Sequence, residues 1–191
     1  MNLKYYILAT GICLIAIAPA HAAPQNLITN GDFEQVKNGQ AIGWDATNNP
    51  GVVENSFPTE KDFGHVALIR FLKWDAHGAY FTQNVTVKPH TQYRFSLKAC
   101  MDTGNIRIAV SGGEGNDKVN IVEYGRAAFL SMYPLFWDEA WSNNLVFISN
   151  EWRPVTIDFN SGNATSVNVS FGAYQRAGTY SFDDASLVEN P

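Results

Sequence analysis

Apolar and polar residues alternate along most of this chain with a period of two. In "YRFSLKA", Tyr93, Phe95, Leu97 and Ala99 share one face, while Arg94, Ser96 and Lys98 share the other. "RPVTIDF" puts Val155, Ile157 and Phe159 on one side, and "VNVSFGA" does the same with Val167, Val169 and Phe171. Successive side chains leave a pleated strand in opposite directions, so this period marks strands with one buried face. The same pattern predicts strands at Val52–Phe57, His65–Phe71, Ala79–Val87, Ile106–Ser111, Leu145–Ser149 and Thr179–Val188. Turn formers separate them: Pro89-His90, Thr103-Gly104-Asn105, Asn160-Ser161-Gly162-Asn163 and Ala177-Gly178. Many short strands joined by polar turns predict an all-β sandwich of two antiparallel sheets. No internal repeat is visible.

Three places depart from the pattern. "NLITNGDFE" starts like a strand at Leu27 and Ile28, breaks on Asn30-Gly31, and sets Asp32 and Glu34 either side of Phe33. In the last strand Tyr180 and Phe182 are the even apolar positions, but Ala185 and Leu187 are odd. The phase flips at Asp183-Asp184, which predicts a bulge there. The third departure is a long aromatic-rich insertion at about 117–144, containing "EYGRAAFLSMYPLFWDEAWSN". A short helix is expected around Arg126–Met132, stopped before Pro134. Long loops in compact domains are uncommon and often functional.

The first residues read as a secretory signal peptide: Lys4, an apolar run from Tyr5 to Ala18, then Ala20-His21-Ala22, with cleavage expected after Ala22. Residues 23–191 then make one domain with a full core. The whole chain carries a net charge of −5, and losing Lys4 makes it one unit more negative. Such a surface gives no electrostatic reason to seek nucleic acid or anionic membrane. No later apolar run is long enough to span a bilayer. Beyond the leader Cys100 is the sole cysteine, in a strand-like run, so it reads as a buried inert thiol.

Clustered carboxylates outside the cell serve catalysis, calcium or plain solvation. Asp183 and Asp184 fit solvation poorly, since Tyr180, Phe182 and Leu187 pack that strand on a core and a charge there needs a partner. Calcium takes six to eight oxygens, and a turn such as Thr29-Asn30-Gly31-Asp32 offers carbonyls.

"NLITNGDFE" with Gly43-Trp44 resembles the opening of carbohydrate-binding modules of families four, nine and twenty-two, galactose-binding-like jelly rolls. "GTYSFDDASLVE" resembles their closing strand, "NEWRPVTIDFN" their Glu-Trp-x-x-Val strand, and the stretch from Phe63 to Ala99 their middle. The resemblance covers nearly all of Asn26–Glu189. It implies a β-sandwich jelly roll, a structural calcium near the chain ends, and a glycan bound on a concave face or at loop tips. By that resemblance Glu34 and Asp183 are the side-chain calcium ligands and Asp32 offers its carbonyl. Asp184 adjoins them, and Glu60 or Asp62 supplies a third acid.

Sugars stack C–H faces on aromatic rings and need fixed hydrogen-bond partners for their hydroxyls. Trp44 and Trp152 read as structural. Trp74, in "RFLKWDAHG" after Arg70, resembles the sugar platform of the family twenty-two modules, with loop packing as the alternative; the gap to Gly78 is longer here. The insertion adds Tyr124, Tyr133, Phe136, Trp137 and Trp141, and Gln83, Tyr174 and Gln175 are candidate polar partners. The expected protein is a secreted or periplasmic, monomeric, non-catalytic binder of a poly- or oligosaccharide. Two alternatives stand beside it: an envelope adhesion or matrix protein on the same fold, and a jelly-roll polysaccharide lyase or hydrolase. The isolated His65, His77 and His90 form no metal or triad pattern, and Asp138-Glu139 reads as a solvated turn.

Overall fold

The computed structural model describes residues 24–75, 77–127, 145–148 and 150–190. Its strands are β1 (Val36–Lys37), β2 (Gln40–Ala41), β3 (Asp45–Ala46), β4 (Val53–Ser56), β5 (Thr59–Glu60), β6 (Gly64–His65), β7 (Ala67–Phe71) and β8 (Ala79–Thr86). They continue with β9 (Gln92–Met101), β10 (Asn105–Gly112), β11 (Val119–Ala127), β12 (Leu145–Phe147), β13 (Arg153–Asn160), β14 (Ser166–Ala173) and β15 (Gly178–Glu189). A six-stranded sheet runs β12-β11-β10-β14-β8-β3, and a five-stranded sheet runs β13-β9-β15-β7-β4. All pairings within them are antiparallel except β11 with β12. Chain neighbours rarely pair: β8 lies between β14 and β3, and β15 between β9 and β7. That interleaving is what a jelly roll requires. No helix of the described residues is long and apolar enough to cross a bilayer.

The alternation read from the sequence becomes the core. Phe81, Val85, Ile106, Ile108, Val110, Val167, Val169 and Phe171 face inward from the six-stranded sheet. Phe71, Phe95, Leu97, Val155, Ile157, Phe182 and Leu187 face them from the other. Phe33 is fully buried between the sheets, with its ring 5.4 Å from Trp44, 6.2 Å from Phe81 and 6.2 Å from Phe171.

Two expectations need correction. Residues 119–127, assigned by sequence to the insertion, form β11, a full member of the six-stranded sheet; Arg126 and Ala127, where a helix was expected to begin, are its last residues. Residues 128–144 of that insertion, and with them the rest of that helix, lie outside the described residues. Leu27 and Ile28 form no strand either. The opening segment runs beside β15 and is tied to it through backbone, Leu27 N–H donating to Leu187 O (2.8 Å) and Ala185 N–H to Gly31 O (2.9 Å), and through Asn26, whose Oδ1 accepts the Leu187 N–H (2.9 Å) and whose Nδ2 donates to Ala185 O (3.3 Å).

The phase flip in β15 is a bulge. Asp183 pairs with Lys98 and Ser186 with Ser96, so Asp184 and Ala185 together oppose Leu97 alone. Asp184 takes φ 51° to absorb the extra residue. Side chains before the bulge point inward at even numbers, those after it at odd ones.

Candidate functional site

The outer face of the six-stranded sheet carries the residues that alternate with its core. One cross-strand row reads Tyr124, Arg107, Gly172, Tyr80 from β11 to β8. The Arg107 guanidinium carbon lies 5.6 Å from the Tyr80 ring centre, reaching across the strand where Gly172 has no side chain. Gly172 is required there, because a Cβ would run into the Ala79 carbonyl. Tyr174, just beyond β14, brings its ring 5.2 Å from Tyr124, and the two hydroxyls share a hydrogen bond. All four side chains are half-buried, with edges open to solvent. Burial, opposed by the neighbouring Arg107, pushes the Tyr80 hydroxyl up to about 12, so it stays a neutral donor at any physiological pH.

Away from this cluster the same face becomes small and polar. The next row holds Val122, Ala109, Ser170 and Thr82, and the one after it Asn120, Ser111, Asn168 and Asn84. Three aromatic rings and a guanidinium thus stand at one end of a shallow polar floor. Two of the connections at that end carry tryptophans. The one between β7 and β8 carries Trp74, which is 67% exposed, and its Gly78 lies against the Tyr80 hydroxyl. The other follows β11 and contains Tyr133, Phe136, Trp137 and Trp141, all outside the described residues, as are Asp138 and Glu139.

The other candidate ligand residues are not part of this cluster. Gln83 is buried on the core side, and its amide is committed to backbone: Oε1 accepts Thr29 N–H (2.8 Å), while Nε2 donates to Thr29 O and Gly43 O (3.0 Å each). It anchors the opening segment. Arg70 lies on the outer face of the five-stranded sheet, where it pairs with Glu54 at 3.0 Å. Tyr80 and Arg107 were missed by the sequence reading; they look like any outward positions until the register sets them beside Tyr124. Trp44 is buried and donates from Nε1 to Asn30 O (3.0 Å), and Trp152 stacks on Phe63 at 4.4 Å.

The second candidate site is at the bulge. Asp183 is 2% exposed although it points to the outer face of its sheet. Its carboxylate accepts the Asp184 N–H, but Oδ1 is buried with no hydrogen-bond partner among the described residues. Desolvation, aided by the charges of Asp184 and Asp32 and opposed by that backbone bond and Lys98, pushes its carboxyl up to about 6. A buried orphan oxygen of this kind fits a cation. Asp32 adjoins Asp183, as its charge effect shows, and lines a cleft with Gly31, Asp184 and Ala185.

The remaining acids sit differently. Asp184 forms an ion pair with Lys98 at 2.7 Å. Glu34 Oε1 accepts the His65 N–H (2.7 Å), so this carboxylate clamps β6 while its second oxygen is not engaged by that bond. Glu60 lies in β5, near enough to Cys100 for its charge to act on the thiol, and Asp62 is in the turn between β5 and β6. Among the described residues no three His, Cys, Asp or Glu side chains form a metal-holding group. A cation at Asp183 would therefore need backbone carbonyls as well.

No protein-family profile matches the sequence, and no curated protein matches it. Solved structures do match. The enzymatically active domain of tailspike protein 4 from bacteriophage CBA120 superposes with a TM-score of 0.61 at 11% identity, over 86% of this chain. The chain spans only 21% of the tailspike. A family 4 carbohydrate-binding module matches with a TM-score of 0.56 at 19% identity, over 85% of this chain and 99% of that one. The family 22 xylan-binding domain from Paenibacillus barcinonensis matches at 0.55 and 14% identity, over 89% of this chain and 97% of that one. At these identities the likeness is one of fold: the chain has the jelly-roll sandwich found in carbohydrate-binding modules.

Proposed function

We propose that this chain is a secreted, non-catalytic carbohydrate-binding protein that holds a poly- or oligosaccharide on the outer face of its six-stranded sheet. The cluster of Tyr80, Arg107, Tyr124 and Tyr174 carries the reading. Tyrosine edges and faces supply the stacking surface that a pyranose C–H face prefers, and each hydroxyl adds a hydrogen-bonding group. The Ser170, Thr82 and Asn84 floor supplies partners for sugar hydroxyls further along. Trp74 extends the platform from the β7–β8 connection. The names of the neighbours support the ligand class, since two of those above are carbohydrate-binding modules and one is called xylan-binding.

A structural calcium belongs to the same proposal. Asp183 would hold it with Oδ1, and the Gly31–Asp32 backbone and the second oxygen of Glu34 are the further donors the opening segment would contribute. The ion would supply the positive charge that a buried carboxylate otherwise lacks. Export through the leader ending at Ala22 and a monomeric state complete the reading.

A glycan array followed by titration tests the platform. Tyr124→Ala and Tyr80→Ala should each weaken binding about fivefold, since an aromatic contact is worth on the order of 1 kcal/mol. Wild-type affinity retained in both variants would place the ligand elsewhere. One observation favours a second reading: the tailspike neighbour is an enzymatically active domain. Release of reducing sugar from a bound polysaccharide would support that reading.

A further inference from the structure

We propose that the platform selects an acidic glycan, one whose chain carries uronate carboxylates. This rests on the outer-face binding reading and narrows its ligand. Two arginines stand on that face at the tyrosine end. Arg107 sits in the row with Tyr80 and Tyr124, and Arg126 is two residues beyond Tyr124 on the same face of β11, opposite Asn105. Across an antiparallel pair, residues in adjacent same-face rows are diagonal neighbours roughly 7–8 Å apart. The two arginines thus leave the same face from diagonal positions, where one bound chain can span both.

Arg126 Nε is buried and has no hydrogen-bond partner among the described residues. An orphaned guanidinium N–H is costly to leave unmade, and its natural acceptor is an anionic oxygen. Arg107 bonds the Tyr80 hydroxyl and lies beside its ring, which fixes the guanidinium plane and leaves other N–H groups for a ligand. Among the described residues, the two acids on strands of this sheet, Asp45 and Glu123, are distant or turned away. Asp45 is on the same face but on edge strand β3, three strands from β10, or about 14 Å at the usual strand spacing. Glu123 has the opposite parity to Tyr124. The negative net charge of the whole chain acts over longer distances, where it is screened beyond about 8 Å at physiological salt.

Matched pairs of polysaccharide test the charge alone. Polygalacturonate is compared with its fully methyl-esterified form, and glucuronoxylan with unsubstituted linear xylan. The acidic member of at least one pair should bind about tenfold tighter, and that preference should shrink as salt rises from about 0.05 to about 0.5 M. Arg107→Gln and Arg126→Gln should each reduce it, while Arg107→Lys should keep most of it, which separates charge from folding. Equal binding of both members, or a preference untouched by Arg107→Gln and Arg126→Gln, overturns the proposal. Equal binding of both members that is lost in Tyr124→Ala would preserve the stacking platform and overturn only the charge selection. Failure to bind any glycan in either pair or on the array would remove the platform and this inference together.

Discussion

Asp183 is an acid where the chain packs as if for an apolar residue. Its orphan Oδ1 makes a pH test at the single-residue level. With calcium removed, its carboxyl titrates near 6 in the folded chain against an ordinary 3.8, so the folded state holds the proton more tightly. Stability of the calcium-free protein should therefore fall as pH rises from about 4 to about 6, the sign expected when the native state binds more protons than the unfolded one. Asp183→Asn should flatten that slope, measured by denaturant titration. At pH 7 the variant should also lose any stabilisation by added calcium, and a full calcium response in Asp183→Asn would rule out this ligand. Glu34 needs a gentler probe, because Oε1 also holds the His65 N–H. Glu34→Gln keeps that acceptor and removes only the charge. Cys100 gives a third residue-level expectation. Burial, with the charges of Glu60 and Asp102, pushes its thiol up to about 11, so alkylation at pH 8 should be slow in the folded protein and become fast on unfolding.

At the scale of elements, the bulge in β15 and the opening segment form one device. Gly31 passes so close to β15 that a Cβ would run into the Ala185 carbonyl. Gly31→Ala should destabilise by roughly 2 kcal/mol or more, as overpacking against backbone does. A near-neutral result by thermal or denaturant unfolding would mean the segment is not docked there. The bulge was legible because it changes the parity of apolar residues, which a sequence displays directly. Strand β11 was not. Its outward positions, Val122, Tyr124 and Arg126, are no more polar than inward Glu123 and Gly125, so alternation is erased. With Tyr124 outside and Glu123 inside, the strand reads as a loop.

Across the whole molecule, the cation proposed at Asp183 would couple calcium to folding. If calcium binds only the folded chain, saturating it a hundredfold above its Kd adds about 2.7 kcal/mol. For a domain of this size that corresponds to a rise in Tm of roughly 5–10 °C, reversed by chelator. Scanning calorimetry with and without chelator reads this, and identical Tm values would remove the cation from the account.

Period-two alternation and its turns specified the two-sheet sandwich, and the parity change at Asp183-Asp184 specified the bulge. Both are local properties, since whether a side chain faces the core depends on its own position along a strand. The opening acids beside Phe33 pointed to the ends of the chain for the same reason. The proposed platform was decided only by tertiary structure. Tyr80, Arg107, Tyr124 and Tyr174 are scattered over four segments, and strand order and register alone bring them into one cluster. Register likewise moved Gln83 into the backbone of the opening turn and Arg70 to the opposite sheet, because which strands become neighbours is settled by packing and not by the residues of any one strand.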